Sequence, residues 1–449
     1  MTALPPTRAL WCEIVHTRTG IERDVVVEVH DGRITAVRPD TPTPPPGAAV
    51  RRGLTLPGFA NAHSHAFHRV LRGRTQAGSG TFWTWREMMY TAAAKLDPDT
   101  YLALARAVYA EMALAGITSL GEFHYLHHAP GGTPYDDPNA MGKALVEAAR
   151  QAGIRITLLD TCYLTGGIGE KLTGTQLRFD DGDADRWAAR VDGLKGDDHA
   201  RIGAAVHSVR AVPAAQIPVV AAWAAEREAP LHAHVSEQPA ENHASLEAYD
   251  NTPVGVFDDA GALGSRFVAV HATHLTDRDI AVLGTSGAGV CLCPTTERDL
   301  ADGIGPAGEL SRAGVPLSLG TDSQAVIDMF EEARAVELDE RLRTGSRGHF
   351  TTARLLAHGT VLGQAALGWD DVGRIEPGMR ADLVTVGLDS VRLAGTLPRL
   401  ASESAVFAAT AADVTHVMVG GRTVVADGVH QTVEDVPGEL ARTIRSLVE

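Results

Sequence analysis

Two histidines separated by one residue, His63 and His65, follow the apolar residues of segment 54–59. If this segment is a strand that leads into a barrel, side chains two residues apart point to the same side of it. Both imidazoles could then bind a single metal ion. Such pairs also occur on surfaces and in cores, so this pattern alone leaves both interpretations open.

Three further polar clusters close apolar runs elsewhere in the chain. They contain His232, His234 and Glu237 in residues 230–237, His271 and His274 in residues 267–274, and Asp322 in residues 315–323. Short β-rich runs between helical stretches indicate βα units. Ionisable residues at the carboxyl ends of such strands are typical of the chemistry of a (β/α)8 barrel.

The elements that would position these clusters alternate along the chain. Apolar residues at helical spacing predict helices over residues 100–115, 139–152, 214–226, 253–260, 329–343 and 352–367. Strands are expected at residues 117–120 and 154–159, directly after the first and the second of these helices. We therefore predict an α/β fold, a (β/α)8 TIM-like barrel.

Both ends of the chain contain hairpin patterns. The turn dipeptide Asp31-Gly32 joins two β-rich runs near the start, and Gly420-Gly421 joins two more near the end. Hairpins so far apart in sequence indicate a small β-sandwich domain formed from both termini, with the barrel inserted. The expected division is 1–56 and 373–449 for this domain and 57–372 for the catalytic barrel.

Composition excludes several classes of partner. The 449 residues include 40 basic and 56 acidic side chains, a formal charge of −16 without a basic stripe. Nucleic acid and anionic membranes are therefore not expected as partners. Four cysteines do not form a disulfide framework in a chain of this length. Because we find no signal-peptide core and no apolar run of transmembrane length, we expect a cytoplasmic protein.

The ordered set HxH, HxxE, H and D resembles the amidohydrolase superfamily, in its deaminase and chlorohydrolase branch. The resemblance covers nearly the whole chain and includes residues 373–384, which resemble the family's return from the barrel to the small β domain. Within this branch the chain is most similar to the formimidoylglutamate deiminases (N-formimino-L-glutamate iminohydrolases). The stretches that carry this similarity are residues 63–67, 82–87, 121–125, 207–212 and 293–297.

The resemblance implies one divalent metal ion bound by His63, His65, His234 and Asp322. Three imidazoles and a carboxylate suit Zn²⁺ best, although Fe²⁺ or Mn²⁺ would also fit the ligand types. Such an ion lowers the pKa of a bound water towards about 7. A hydrogen-bonded core position is the alternative for each histidine taken singly. The branch with two metals bridged by a carboxylated lysine is not favoured, because Lys143, Lys171 and Lys195 do not stand at suitable strand ends.

The resemblance also implies catalytic roles. Glu237 would move a proton from water to the leaving nitrogen, and a carboxylate at a helix amino terminus is its structural alternative. His271 would polarise the substrate or hold the attacking hydroxide, with His274 and His232 as competitors for the histidine positions. Asp322 could also accept a proton.

The implied reaction is hydrolysis of N-formimino-L-glutamate to N-formyl-L-glutamate and ammonia, in histidine degradation. Arginine forks suit the two substrate carboxylates. Candidate substrate-binding residues are His68, Arg86, Tyr125, His207 and Arg210. His68 departs from the group, which often has glutamine there, and Trp83, Trp85 and Arg86 could instead serve packing or a surface ion pair.

Two other functions remain open at this point. A purine-type aminohydrolase, such as a guanine or adenosylhomocysteine deaminase, would use the same metal centre. A catalytically silent barrel is disfavoured by the intact ligand set. We expect a small-molecule substrate and a homodimer, and we interpret the glycine-rich residues 165–171 as a mobile loop over the barrel mouth rather than a phosphate loop.

Overall fold

The computed structural model describes residues 8–77, 80 and 82–448, and its strands form two separate sheets. The side chains of Phe82 and Trp83, which belong to one of the quoted sequence stretches, lie outside the described part. The strands are β1 (Arg8–Thr17), β2 (Gly20–His30), β3 (Arg33–Arg38), β4 (Ala49–Pro57), β5 (Phe59–Ser64), β6 (Ile117–His124), β7 (Arg155–Cys162), β8 (Ala200–Val206), β9 (Leu231–Val235), β10 (Phe267–His271), β11 (Gly289–Leu292), β12 (Leu317–Leu319), β13 (Leu383–Val386), β14 (Val414–Val419), β15 (Arg422–Ala426) and β16 (Val429–His430).

Helices follow most of the barrel strands. They are α1 (Phe82–Ala94), α2 (Pro98–Leu114), α3 (Ala140–Ala152), α4 (Ala184–Val191), α5 (Ile217–Glu226), α6 (Pro239–Tyr249), α7 (Pro253–Asp259), α8 (Asp277–Ser286), α9 (Pro294–Asp299), α10 (Ala307–Arg312), α11 (Met329–Thr344), α12 (Thr352–Gly359), α13 (Val361–Ala366), α14 (Ala401–Ala408) and α15 (Val436–Val448). Short 3₁₀ helices cover Ala66–Leu71, Pro130–Gly132, Gly174–Phe179, Ala214–Gln216, Pro398–Leu400 and Ala411–Asp413.

The barrel consists of β5 to β12, which are parallel and lie side by side in chain order. Two backbone hydrogen bonds close it between the last strand and the first. The Asp322 amide donates to the His63 carbonyl at 3.0 Å, and the His65 amide donates to the Asp322 carbonyl at 3.3 Å. Because the carboxyl ends of parallel strands meet at one rim, the polar clusters of the sequence come together there.

The second sheet combines strands from both ends of the chain, in the order β16-β15-β14-β13-β4-β1-β2-β3. Both predicted hairpin turns are present. Asp31 and Gly32 have φ of 48° and 74°, and Gly420 and Gly421 have φ of 53° and 73°. Positive φ at both central residues matches the turn that follows the right-handed twist of paired strands. The predicted fold class, a barrel with a small β domain from both termini, is confirmed.

The first barrel strand begins later than the expected segment 54–59. Residues Leu54 to Pro57 belong to β4, which pairs with β13 in the β domain, and β5 starts at Phe59. The Gly58 amide between them donates to the Asp382 carbonyl, and Asp382 also forms a buried ion pair with Arg155 at the start of β7. These contacts connect the β domain to the barrel beside residue 57, where we propose the domain boundary.

One predicted helix is divided. The sequence predicts a continuous helix over residues 352–367, whereas α12 ends at Gly359 and α13 begins at Val361. Thr360 has φ −123° and ψ −103°, and its hydroxyl donates back to the Leu356 carbonyl at 2.7 Å. Threonine side chains compete with the backbone in this way and interrupt helices. The other predicted helices have the expected positions to within a few residues.

Candidate metal centre and active site

Four side chains converge at the carboxyl ends of β5, β9 and β12. They are His63, the last but one residue of β5, His65 just after it, His234 in β9 and Asp322, three residues after β12. Their potential ligand atoms all lie within 4.8 Å of one another. Asp322 Oδ1 is 3.3 Å from Nε2 of both His63 and His65, and His234 Nε2 is 3.2 Å from His63 Nε2.

Backbone carbonyl groups fix the tautomers of two of these histidines. His65 Nδ1 lies 2.9 Å from the Phe123 carbonyl, and His234 Nδ1 lies 2.9 Å from the His207 carbonyl. A carbonyl only accepts hydrogen bonds, so each Nδ1 carries the proton and each Nε2 presents a lone pair to the centre. Metal-binding histidines are oriented in this way.

The separations fit a cation between the four side chains. Two ligands about 2.0–2.1 Å from Zn²⁺ at the tetrahedral angle lie about 3.3 Å apart, which is close to the observed spacing. Burial lowers the pKa of His63 to about 3, so its imidazole is neutral and able to ligate. Burial alone would raise the pKa of Asp322, but the His63 hydrogen bond and the nearby histidines hold it well below its usual value. The donor set therefore fits a divalent metal.

Close approach of the backbone at this centre depends on Gly320. A Cβ at Gly320 would lie 2.7 Å from His63 Cβ and 2.9 Å from the His63 carbonyl oxygen. Asp322 itself has φ of 39°, a left-handed backbone conformation that costs free energy for residues other than glycine. Strain of this kind persists where surrounding contacts determine the geometry, as the barrel closure does here.

His271 and Glu237 lie beside the four donors. His271 Nε2 is 3.9 Å from both Glu237 Oε1 and Asp322 Oδ2, and His271 Nδ1 is 3.4 Å from Glu297 Oε1. Burial opposes protonation of His271, but the charges of Glu237, Glu297 and Asp322 outweigh it and raise its pKa to about 10.

Glu297 was not assigned a role from the sequence, although it lies in a stretch that carries the family resemblance. It is buried in α9, and its Oε1 also accepts a hydrogen bond of 2.8 Å from the Cys293 amide. Glu297 therefore holds the ring of His271 from the side opposite to Glu237. A glutamate three residues after the Cys293-Pro294 pair gives no periodic signal in one sequence, so spacing alone could not reveal it.

Glu237 is held by the guanidinium group of Arg210. Arg210 Nη2 donates to Glu237 Oε2 at 3.0 Å, and Arg210 Nε lies 3.7 Å from Glu241 Oε2. Glu241, in the first turn of α6, is buried and also accepts from the Glu237 amide at 3.2 Å. The sequence predicted Arg210 as a carboxylate-binding residue but not its contact with Glu237 or the presence of Glu241.

His232 and His274, the competing candidates for the histidine positions, form hydrogen bonds to backbone carbonyls instead. His232 Nε2 lies 2.9 Å from the Ala366 carbonyl, and His274 Nε2 lies 2.8 Å from the Asp302 carbonyl. His232 points into the same barrel interior as His234, two residues nearer the start of β9. Alternation along a strand therefore predicts which side chains point into the barrel, but not how deep in the barrel each of them lies.

A second group of buried ionisable residues has a different character. His124, His127 and Asp160 could together offer three ligand atoms. However, Asp160 accepts hydrogen bonds of 2.7 and 3.0 Å from the guanidinium group of Arg190, and 3.0 Å from Trp187 Nε1. A fixed guanidinium charge opposes a cation at this position, so we interpret the group as structural.

A cavity of about 350 Å³ opens beside the four donors. It is lined by all five predicted substrate-binding residues, His68, Arg86, Tyr125, His207 and Arg210, as well as by Glu237, His271 and Asp322. Its wall includes Gly166, Gly167 and Ile168 from the glycine-rich segment, which is where a loop over the barrel mouth was expected. The structure therefore brings the predicted site residues into one space.

Arg86, in α1, is held by hydroxyl and carbonyl groups on the cavity wall. Its Nε donates to Tyr90 Oη at 2.6 Å, and its Nη2 lies 3.4 Å from Tyr163 Oη and 3.3 Å from the Gly166 carbonyl. Gln176 Nε2 donates to the same two hydroxyls at 3.0 and 3.3 Å. The sequence did not identify Tyr90, Tyr163 or Gln176, because they come from three segments without a shared motif.

His68 pairs with Tyr125 inside this cavity, at 3.0 Å between His68 Nε2 and Tyr125 Oη. Burial, followed by repulsion from His65, lowers the pKa of His68 well below its usual value. The residue that replaces the usual glutamine is therefore neutral at physiological pH. It can exchange hydrogen bonds as an amide would, without adding positive charge.

All four cysteines are buried as free thiols, as expected for this composition. Within the described ranges, no helix is both long and apolar enough to cross a bilayer.

Comparison with known proteins identifies the family. A model of the amidohydrolase family matches residues 54–424. Formimidoylglutamate deiminase of Pseudomonas aeruginosa is 34% identical over 444 residues, 96% of each chain. An 8-oxoguanine deaminase of the same organism is 29% identical, with 92% of each chain covered.

Solved structures agree. An amidohydrolase from Brucella melitensis superposes with a TM-score of 0.91 at 29% identity, over 98% of this chain and 100% of that one. An adenosine deaminase from Xanthomonas campestris with bound zinc superposes with a TM-score of 0.84 at 24% identity, over 98% and 97%, and at that identity it supports the fold alone. The chain therefore belongs to the amidohydrolase family, and the predicted resemblance is confirmed.

Proposed function

We propose that this amidohydrolase is a metal-dependent formimidoylglutamate deiminase, which hydrolyses N-formimino-L-glutamate to N-formyl-L-glutamate and ammonia. The observation that carries the proposal is the pairing, in one cavity, of a four-donor metal centre with two guanidinium groups, Arg86 and Arg210. Guanidinium groups bind carboxylates in a forked geometry, so two of them in one cavity suit a substrate with two carboxylates.

His63, His65, His234 and Asp322 would hold the metal, for which Zn²⁺ is our first choice. When bound, a divalent cation supplies Lewis-acid activation of water at neutral pH. The backbone carbonyls behind His65 and His234 keep their Nε2 lone pairs directed at the centre during turnover.

Glu237 is placed to transfer protons. Its Oε1 faces His271, and its Oε2 is bonded to Arg210, so one oxygen remains oriented towards the reacting end of the cavity. In the proposed reaction Glu237 takes a proton from the attacking water and delivers it to the nitrogen that leaves as ammonia. The hydrogen bond from Arg210 fixes the orientation of the Glu237 side chain. His271, held by Glu297, donates a hydrogen bond to the reacting group.

The other end of the substrate would be bound by Arg86 and Arg210, with His68 and Tyr125 contributing neutral hydrogen bonds. Arg86 is fixed by Tyr90, Tyr163 and the Gly166 carbonyl, which limits its rotamers before substrate arrives. A guanidinium that is already oriented loses less entropy on binding a carboxylate. The similarity to the deiminase of Pseudomonas aeruginosa supports this assignment.

The test is ammonia release from a panel of candidate substrates by purified, metal-loaded protein. The panel contains formiminoglutamate, formiminoaspartate, guanine, 8-oxoguanine, cytosine and adenosylhomocysteine. We expect formiminoglutamate to have the highest kcat/KM, and the matched control is the Glu237→Gln variant under the same conditions. Turnover of a purine without turnover of formiminoglutamate would refute the substrate assignment.

A purine-type aminohydrolase is the second candidate. The aromatic rings of Trp85, Tyr90, Tyr125, Tyr163 and Phe179 line the cavity and could stack against a flat heterocycle. The similarity to an 8-oxoguanine deaminase points in the same direction. However, a neutral purine offers no carboxylate to the guanidinium groups of the cavity, which is why we rank this candidate second.

A further inference from the structure

Five buried polar side chains that have no part in the proposed reaction form a chain across the closing seam of the barrel. We call them the seam network, and they are Asn61, Ser64, Glu122, Thr321 and Gln324. Each is 0% exposed. They belong to β5, to β6 and to the segment after β12, so they bridge the strands whose ends carry His63, His65 and Asp322.

The hydrogen bonds of the seam network run in one direction. Asn61 Nδ2 donates to Thr321 Oγ1 at 2.7 Å, Thr321 Oγ1 donates to Gln324 Oε1 at 2.7 Å, Gln324 Nε2 donates to Ser64 Oγ at 3.0 Å, and Ser64 Oγ donates to Glu122 Oε2 at 2.9 Å. Hydrogen bonds that share a direction polarise one another, and the low dielectric of a dry interior strengthens each of them. This series of hydrogen bonds ends on the carboxyl group of Glu122.

The seam network also contacts the backbone of the residues that bear the metal-binding side chains. Gln324 Nε2 donates to the Asp322 carbonyl at 2.9 Å, and the Thr321 amide donates to Asn61 Oδ1 at 3.0 Å. The Ala66 amide, directly after His65, donates to Glu122 Oε1 at 2.7 Å. Ser64 lies between the two histidines. Hydrogen bonds of this network therefore involve residues directly before or after each of His63, His65 and Asp322.

We infer that the seam network positions His63, His65 and Asp322 for metal binding, and that Glu122 is the positioning residue on which it depends. This inference rests on the proposed metal centre. Glu122 Oε1 accepts from the Ala66 amide, and Glu122 Oε2 accepts from the Ser64 hydroxyl. Glutamine has the same shape but only one accepting atom, so it cannot accept both of these hydrogen bonds.

The ionisation of Glu122 is subject to opposing influences. Burial raises its pKa to about 8, whereas the hydrogen bonds from Ala66 and Ser64 favour the carboxylate. The Ala66 amide can only donate, so Glu122 Oε1 is an acceptor in either state, whereas the Ser64 hydroxyl can donate or accept.

The inference is tested by metal affinity and by a spectroscopic signature, with the full-length chain. Protein freed of metal by a chelator is titrated with Zn²⁺ against a chromophoric competitor, and with Co²⁺ to record the visible absorption bands that report coordination geometry. We expect Glu122→Gln to weaken Zn²⁺ binding about 10–100-fold, the usual effect of removing a partner behind the ligands. The Co²⁺ bands should shift in the same variant. Ser64→Ala is a milder second variant in case Glu122→Gln does not fold.

Thr157→Val is the matched control. Thr157 is also 0% exposed and hydrogen-bonded, donating to the Leu367 carbonyl at 2.8 Å, but it lies near the start of β7, at the other end of the barrel. It should lower thermal stability without changing Zn²⁺ affinity or the Co²⁺ bands. If Glu122→Gln and Ser64→Ala lower stability as Thr157→Val does and leave both readouts unchanged, the positioning role is refuted. Wild-type protein that binds no divalent metal would refute the metal centre itself.

Discussion

The strongest test of the substrate assignment pairs two arginine variants with two truncated substrates. Formiminoglutamate carries an α-carboxylate and a side-chain carboxylate. The formimino derivative of 4-aminobutanoate lacks the first, and that of 2-aminobutanoate lacks the second. If Arg86 and Arg210 each bind one carboxylate, Arg86→Ala should lose activity only towards substrates that retain the group bound by Arg86. Arg210→Ala should show the reciprocal substrate preference, together with a loss common to all substrates because Arg210 also holds Glu237.

The magnitudes follow from the contacts of each guanidinium. A hydrogen bond to a charged group contributes about 1.5–3 kcal/mol, so losing the carboxylate contact of Arg86 should reduce kcat/KM roughly 10–150-fold. Arg86 contacts Tyr90, Tyr163 and Gly166 and is not bonded to Glu237, so this loss should lie mainly in KM. Arg210 donates to Glu237 at 3.0 Å, so Arg210→Ala should also lower kcat.

The assay is steady-state ammonia release for every enzyme–substrate pair, with metal content measured in parallel. A coupling free energy of about 1.5 kcal/mol or more between an arginine and one carboxylate would identify that contact. Equal losses on all three substrates would refute the reasoning, because they would assign the arginine a structural role. Tyr90→Phe provides a graded control, since removal of the 2.6 Å bond to Arg86 should cost about 0.5–1.5 kcal/mol on the same substrates only.

Three other predictions concern the metal centre and the barrel seam. Glu237→Gln should retain the metal and lose about 10²–10⁴-fold in kcat, and a variant within a few-fold of wild type would move the proton-transfer role to another residue. Elemental analysis should find one divalent metal per chain, lost together with activity on chelation; two tightly bound metals, or activity that survives removal of the metal, would contradict the four-donor centre. Gly320→Ala should lower the unfolding midpoint and the metal content together, because its Cβ would lie 2.7 Å from His63 Cβ and overpacking costs about 1–3 kcal/mol. Normal metal content and stability in this variant would show that the seam can widen.

The sequence predicted those parts of the site that lie at or just after the ends of regular strands. His63 and His65, His234 with Glu237, His271 and Asp322 all follow apolar runs, and the parallel barrel brings such strand ends to one rim. The sequence did not predict how far along a strand a site residue lies or where the first barrel strand begins. Strand alternation could not distinguish His234 from His232, and it placed the first barrel strand too early, because β4 and β5 are separated only by Gly58.

The residues that sequence reasoning missed lie outside this strand pattern. Tyr90 comes from α1, Tyr163 follows β7, and Gln176 belongs to a 3₁₀ helix, yet all three converge on Arg86 or on each other. Glu297 and Glu241 are carried by the helices that follow β11 and β9. Their positions depend on how loops and helix starts fold over the rim, which no local period in one sequence encodes. Substrate choice is therefore harder to predict than the metal chemistry, because its residues are the less regular ones.

The same residues that would hold the metal also close the barrel, which couples folding to metal binding. The backbone of Asp322 bonds to His63 and His65, while the Nε2 lone pair of His65 faces Asp322 Oδ1 at 3.3 Å and that of His234 faces His63 Nε2 at 3.2 Å. Lone pairs at this distance repel unless a proton or a cation lies between them, and burial has already lowered the pKa of His63 to about 3. A bound cation removes this repulsion in the folded state alone, since the unfolded chain does not assemble the four donors. Metal binding should therefore stabilise the seam between β12 and β5 more than any other part of the barrel.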